Sequence, residues 1–422
     1  MTLQNRNALC AARSGNADEM LLAIATGTDV DAVDQNGRTA LHMAVEAGHI
    51  EAALMLIGAS ANVQALDMNG ETPLHRAAAK GSNAAVIALL QSGADVSIKD
   101  RDGYSALHMA ANGGQIQTAS ILIGAGADVN AMTKDGSTPL CIAAIKQATQ
   151  VALDLIEAGA DVNLHGDFNR SALSCAVSYK HAEIAAALIS AGAILNEKDI
   201  YGRTVLYSAS TQKNSDITQI LICAGIDVNT ADNQGETAMH YSAQFGRKEN
   251  MVALLAAGCD MHAINNAGNM PIHVAARFGH NDILFLLLDS GVPVDIHDQN
   301  GKSPLWKAAS FGRADTALAL IAYGAVNLAC RQGFLPYLEG LSMHQAAVQG
   351  GYLARLQLLI ESHPSIEADD QPEALVKLAL VHARSDVAAF LQSLIAIRAI
   401  EETLDMAGAN GASTKRISLN HT

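Results

Sequence analysis

Asp67-Met-Asn-Gly70-Glu-Thr72-Pro-Leu-His75-Arg-Ala-Ala-Ala-Lys80-Gly81 holds a turn, a helix start and a helix stop in one short stretch. Asp67 to Gly70 predicts a tight turn, with Gly70 supplying a backbone angle that other L-residues avoid. Thr72 is placed to cap a helix by accepting a free amide hydrogen. Pro73 follows at the first helical position, where its missing N–H costs nothing. Leu74, Ala77 and Ala78 recur at helical spacing, and Gly81 closes the helix. Ala84 to Gln91 predicts a second helix, with Val86, Leu89 and Leu90 inward and Gly93 after its end. A helix pair this small cannot bury its apolar face alone, so it must stack on others like it.

The chain supplies the others. Gly37, Gly70, Gly103, Gly136, Gly202, Gly235, Gly268 and Gly301 share one 33-residue lattice. The gap at 169 holds Asn169, the residue that best replaces Gly at positive φ. Variants of one element follow the lattice points, including Thr39-Ala-Leu-His42, Thr72-Pro-Leu-His75, Ser105-Ala-Leu-His108, Thr138-Pro-Leu-Cys141 and Thr237-Ala-Met-His240. Thr or Ser holds the cap place at 39, 72, 105, 138, 171, 204, 237 and 303, and Met270 is the exception.

A 33-residue unit with this element resembles the ankyrin-repeat family, and Gly126-Ala-Asp-Val-Asn130 and Gly159-Ala-Asp-Val-Asn163 match that family's loop. The resemblance implies an all-α solenoid of helix-turn-helix units with β-turn fingers, about twelve units with the caps. Residues 1–33 read as a divergent N-terminal cap, because Leu9-Cys-Ala-Ala12 falls one period before His42-Met-Ala-Val45. Residues 34–330 hold nine repeats. Residues 331–405 hold a slipped loop, one further repeat and a helical cap, and 406–422 is a Gly-, Asn- and Ser-rich tail expected to be disordered.

Composition narrows the function. The formal charge of −15 argues against binding nucleic acid or an anionic membrane. No apolar run is long enough to span a bilayer, and no secretory signal is visible, so a cytoplasmic protein is expected. The six cysteines form no CxxC pair and are expected to be buried small apolar residues. No metal or cofactor motif and no catalytic elbow occurs. The histidines at 42, 75, 108, 240, 273 and 344 share one repeat position, and His49, His181 and His280 share another. The resemblance implies that they join neighbouring turns by hydrogen bonds. No segment outside the repeats is long enough for an enzyme domain, so a monomeric, non-enzymatic scaffold is expected.

Aromatic residues mark a candidate surface. Phe245, Phe278 and Phe311 stand 33 residues apart, and Tyr179 holds the same place two units before Phe245. The family's fold turns this end of the first helix toward the concave groove. With Arg277 beside them, the rings have the composition of a protein-binding hot spot. Packing along the stack is the competing account. The apolar slipped loop, with Phe334 and Tyr337, is a second candidate for partner contact, or else covers a joint between units. Two other functions are weighed. A host-directed bacterial or viral effector is suggested by the Ala-rich composition and by Ser413-Thr-Lys-Arg-Ile-Ser418. An enzyme would need an unrecognised pocket. The loss of the helix-closing Gly at Gln147, Lys180 and Lys213 predicts that 133–231 is softer than 34–132 or ends its helices differently, with neutral drift as the competing account.

Overall fold

The computed structural model describes residues 3–166, 170–325, 342–350, 352, 356, 372–382, 384–393 and 395–396. Asn169, Cys330, Phe334, Tyr337 and the tail from 406 lie outside them. Among the described residues the fold is all-α, with three isolated β-bridges and no strand. Two compact units are present, Met1–Asn233 and Gln234–Thr422.

In the first unit, short helices alternate as antiparallel pairs. The first pair is Leu3–Ser14 with Ala17–Ala25, followed by Ala40–Ala47 with Ile50–Gly58 and Pro73–Lys80 with Asn83–Gln91. Four further pairs follow, ending in Val205–Ser210 with Asp216–Cys223. The second unit continues with Ala238–Phe245 and Lys248–Ala256, Pro271–Phe278 and Asn281–Asp289, and Pro304–Ser310 and Ala314–Ala322. Met343–Gly350 and Pro372–Val381 come after them.

The core repeats with the sequence. Leu41, Leu74, Leu107, Leu140 and Leu173 are fully buried, one per first helix, as are Leu56, Leu89, Leu122, Leu155 and Leu188 in the second helices. Burying one such side chain contributes about 1.5–3 kcal/mol, and stacking alone makes that burial possible. Two details differ from expectation. Leu90 is only half-buried, and Ala85 takes the inward place with Val86 and Leu89. Cys10 and Cys223 are exposed rather than core residues, because they fall on outer helix faces, whereas Cys141, Cys175 and Cys259 are buried.

The turn fingers are joined by backbone hydrogen bonds. Met68 N donates to Asn36 O at 2.9 Å, Arg101 N to Asn69 O at 2.9 Å and Lys134 N to Asp102 O at 2.8 Å. Gly37, with φ near +75°, shows why the lattice position holds glycine. A Cβ there would lie 2.9 Å from Met68 N, so a side chain would break the joint between fingers.

Histidines make a second set of joints. His42 Nδ1 accepts from the cap N–H and hydroxyl of Thr39, and its Nε2–H donates to Glu71 O at 3.0 Å in the next repeat. His75 repeats this with Tyr104 O, His108 with Ser137 O and His240 with Asn269 O. His273 reaches Ile296 O at 3.1 Å and caps Met270 N, so the cap persists where the hydroxyl is missing. His49, His181 and His280 each donate to a carbonyl 36 residues earlier. The stitching role implied by the family resemblance is therefore what the geometry shows at these eight positions.

Burial pushes the His108 and His273 imidazoles down to about 4 and lowers His42 and His75 as well. The folded state therefore holds them neutral, while the unfolded chain takes up protons below its ordinary value near 6.5. Their contribution is present above that value and is lost as pH falls toward 4. Between pH 6.5 and 5, His108 and His273 should each remove on the order of 2 kcal/mol of stability. Denaturant titrations at pH 7.5 and pH 5 test this. An unchanged midpoint would contradict neutral, buried histidines.

The middle of the first unit departs from the pattern. Gln147 and Lys180 hold the left-handed angle that glycine holds elsewhere, with φ of 58° and 68°. Lys213 does not. Its repeat has a first helix of only six residues, Val205–Ser210, and the Thr204 hydroxyl caps no amide. Gln212 instead donates to Val177 O at 2.6 Å, close to the joint made elsewhere by His181. The loss of glycine thus strains two repeats and shortens a third. Lys180→Gly should stabilise the protein by about 1 kcal/mol by removing the positive-φ cost. It should also slow amide exchange around residues 172–190. A lowered midpoint would mean that Lys180 contributes a contact worth more than the strain.

Candidate partner-binding surfaces

Phe245 and Phe278 each end a first helix, at Ala238–Phe245 and Pro271–Phe278, just before a left-handed glycine. Phe311 caps Pro304–Ser310 at the equivalent place. The glycine turns the chain sharply and leaves each ring at the helix end rather than under the next helix. Phe245 is 41% exposed and Phe311 47%, while Phe278 is half-buried. Arg277 is exposed, and its guanidinium lies 5.4 Å from the Phe278 ring centre and 4.6 Å from that of Phe311. One cation thus spans two rings of neighbouring repeats, a contact of about 0.5–1 kcal/mol at an exposed site. Arg313 Nε donates to Arg277 O at 3.2 Å and fixes the helix end that carries Arg277.

Tyr179 caps Ala172–Ser178 as Phe311 caps its own helix, but its surroundings differ. It is half-exposed in the first unit and stacks on His181, with ring centres 6.4 Å apart. It lines a pocket of about 500 Å³ with Arg170, Ser174, Cys175, Ile194, Asp199 and Tyr201 among its walls. Phe334 and Tyr337 lie outside the described residues.

Sequence reasoning missed that pocket as a site. Its wall is built on Arg203, whose guanidinium lies 4.5 Å from the Tyr201 ring centre and 4.4 Å from that of Tyr207. The same guanidinium pairs with Asp199 through Nε at 2.8 Å and Nη2 at 2.6 Å. The ion pair holds the Asp199 carboxyl below its ordinary range, against the opposing effect of burial. A signal was present. The histidine place of the repeat holds Cys141, Ser174 and Tyr207 in these three units. Where the bridging imidazole is absent, the floor between finger and helix opens. Ser174 is a short side chain there, and its hydroxyl turns back to Ser171 O at 2.8 Å.

Among the described residues no cluster of three His, Cys, Asp or Glu side chains could hold a metal ion, and no helix is long and apolar enough to cross a membrane. Cys141 and Cys175 hydrogen-bond to each other, and that contact, with burial, pushes the Cys175 thiol up. The same contact draws the Cys141 thiol down.

A family model described as ankyrin repeats (3 copies) matches residues 8–100, 86–166, 150–232, 173–265, 239–332 and 272–370. No curated protein matches the chain.

Proposed function

This chain belongs to the ankyrin-repeat family, whose repeats are protein-interaction modules, and on that premise we propose that it is a non-enzymatic scaffold that grips a partner segment along the groove of first-helix ends. The observation that carries the proposal is the half-open row of Phe245, Phe278 and Phe311, with Arg277 laid over two of its rings. Aromatic rings flanked by arginine supply most of the binding energy in many interfaces, because they bury large areas at low entropic cost. Rings exposed to this extent give up apolar contact in the free protein that a partner restores. A segment with apolar anchors and a carboxylate would meet the rings and Arg277 together. The reading as a host-directed effector gains no observation from the described residues, since its tail lies beyond them.

The test begins with a partner captured on the full chain and then purified. Arg277→Ala should weaken its binding about tenfold, and Arg277→Lys should recover only part of the loss, because lysine stacks less well on rings. Salt should weaken the parent more than the alanine variant. Equal affinity for parent and Arg277→Ala would remove Arg277 from the interface.

A further inference from the structure

The pocket between residues 170 and 208 of the first unit is the feature that the aromatic row does not explain. What it can bind follows from which of its polar groups are already used. The Asp199 carboxylate is saturated, accepting from the Tyr201 and Arg203 amides as well as from two Arg203 nitrogens. Glu197 takes the Nε2 of His165, and Lys198 Nζ donates to Ala231 O at 3.1 Å. The Asp199 carboxylate is thus closed to a ligand, and Glu197 is engaged through one oxygen. What remains is one cation with a set of hydroxyls that can donate to an anion. Among the described residues the Arg170 guanidinium has no ion-pair or hydrogen-bond partner, and the lining hydroxyls of Ser178, Tyr179, Tyr201 and Ser208 have none either.

We propose that this pocket is a second recognition site, which takes an aspartate or glutamate side chain, flanked by an apolar residue, from an extended segment of a partner protein. The anion sits against Arg170 and the unpaired hydroxyls, as charge-assisted hydrogen bonds require. Its neighbour lies on Ile194 and Ile200, which are exposed at 53% and 58%. A cationic ligand is disfavoured, because Arg203 already covers one face of both Tyr201 and Tyr207 with positive charge. The volume of about 500 Å³ accommodates two or three side chains and lies in the usual range for small ligand sites. The chain as a whole carries −15, so the exposed Arg170 guanidinium in this pocket is set against the general trend of the sequence.

The proposal rests on the reading that the chain binds protein segments, but it uses none of the three phenylalanines. A triple phenylalanine variant that kept full affinity would sink the groove reading and leave this test as it stands. The probe is acetyl-Leu-Glu-Phe-amide, titrated into the full chain with ring-labelled tyrosine and followed by nuclear magnetic resonance. Counterparts carry Gln, Lys or phosphoserine in place of Glu. The resonances of Tyr179, Tyr201 and Tyr207, assigned by single Tyr→Phe changes, should move with the Glu peptide. Its dissociation constant should be at least about tenfold below that of the Gln peptide. Arg170→Gln, at an exposed position, should erase that difference while melting as the parent does. Four results would each overturn the proposal: equal binding of Glu and Gln peptides, tighter binding of the Lys or phosphoserine peptide, no effect of Arg170→Gln, or no tyrosine shift with any peptide.

Discussion

Replacing Phe245, Phe278 and Phe311 together by alanine should abolish measurable partner binding, while the melting temperature falls by only a few degrees. Each ring stands at the same point of its repeat, and two of the three are more than 40% exposed. A ring at the centre of an interface typically costs 2 kcal/mol or more when truncated. Three rings need not add, but a loss of about a thousandfold in affinity is the scale expected. Stability should respond less. The exposed part of each ring gives nothing to the folded state, so only the buried fraction of its transfer energy is lost. The competing account assigns the rings to packing along the stack. It predicts the reverse pattern, with lowered melting and unchanged affinity. Affinity and melting measured on the single and triple variants separate the two accounts.

The second large effect is on stability. His75→Ala should cost about 3–5 kcal/mol, far more than a surface substitution. The His75 side chain is almost fully buried. Its Nδ1 accepts from the Thr72 amide at 3.1 Å and hydroxyl at 2.8 Å, and its Nε2–H donates to Tyr104 O at 3.0 Å. Alanine leaves a cavity, an orphaned cap N–H and an orphaned carbonyl in the next repeat. Each unsatisfied buried group costs about 1–3 kcal/mol. The damage crosses a repeat boundary, so it should also uncouple neighbours and broaden the unfolding transition. His75→Asn, which keeps a short acceptor but cannot reach Tyr104 O, should lose less than alanine. Denaturant midpoints of the two variants provide the comparison, and a loss below about 1 kcal/mol for alanine would contradict the stitching role.

The repeat was legible because its physics is local. Turn glycines, cap hydroxyls and buried leucines are each dictated within one 33-residue unit, and their recurrence multiplies the signal. The histidine joints could be expected from the family resemblance, but the carbonyl each one reaches could not, since Tyr104 lies 29 residues from His75. The ring positions Phe245, Phe278 and Phe311 were visible as a row, whereas the sharing of Arg277 between two of them depends on side-chain directions. The pocket escaped for a related reason. Tyr201, Arg203 and Tyr207 look unrelated in the sequence, because they straddle the end of a finger and the start of a shortened helix. Their stacking appears only when the finger folds back over Val205–Ser210. Likewise, the absence of glycine at Gln147, Lys180 and Lys213 reads identically in sequence. Two of these residues keep the strained angle and one escapes it, because the helix before Lys213 stops early.

Site-specific photocrosslinking tests the groove reading most directly. Benzoylphenylalanine placed in turn at 245, 278 and 311 keeps an aromatic ring at each position. Placed at 252 it probes the outer face of Lys248–Ala256, where Val252 is also exposed. Irradiation of each variant with its purified partner should give crosslinked complex from 245, 278 and 311 and none from 252. Crosslinking from 252 with none from the three ring positions would place the partner on the outer face and contradict the account.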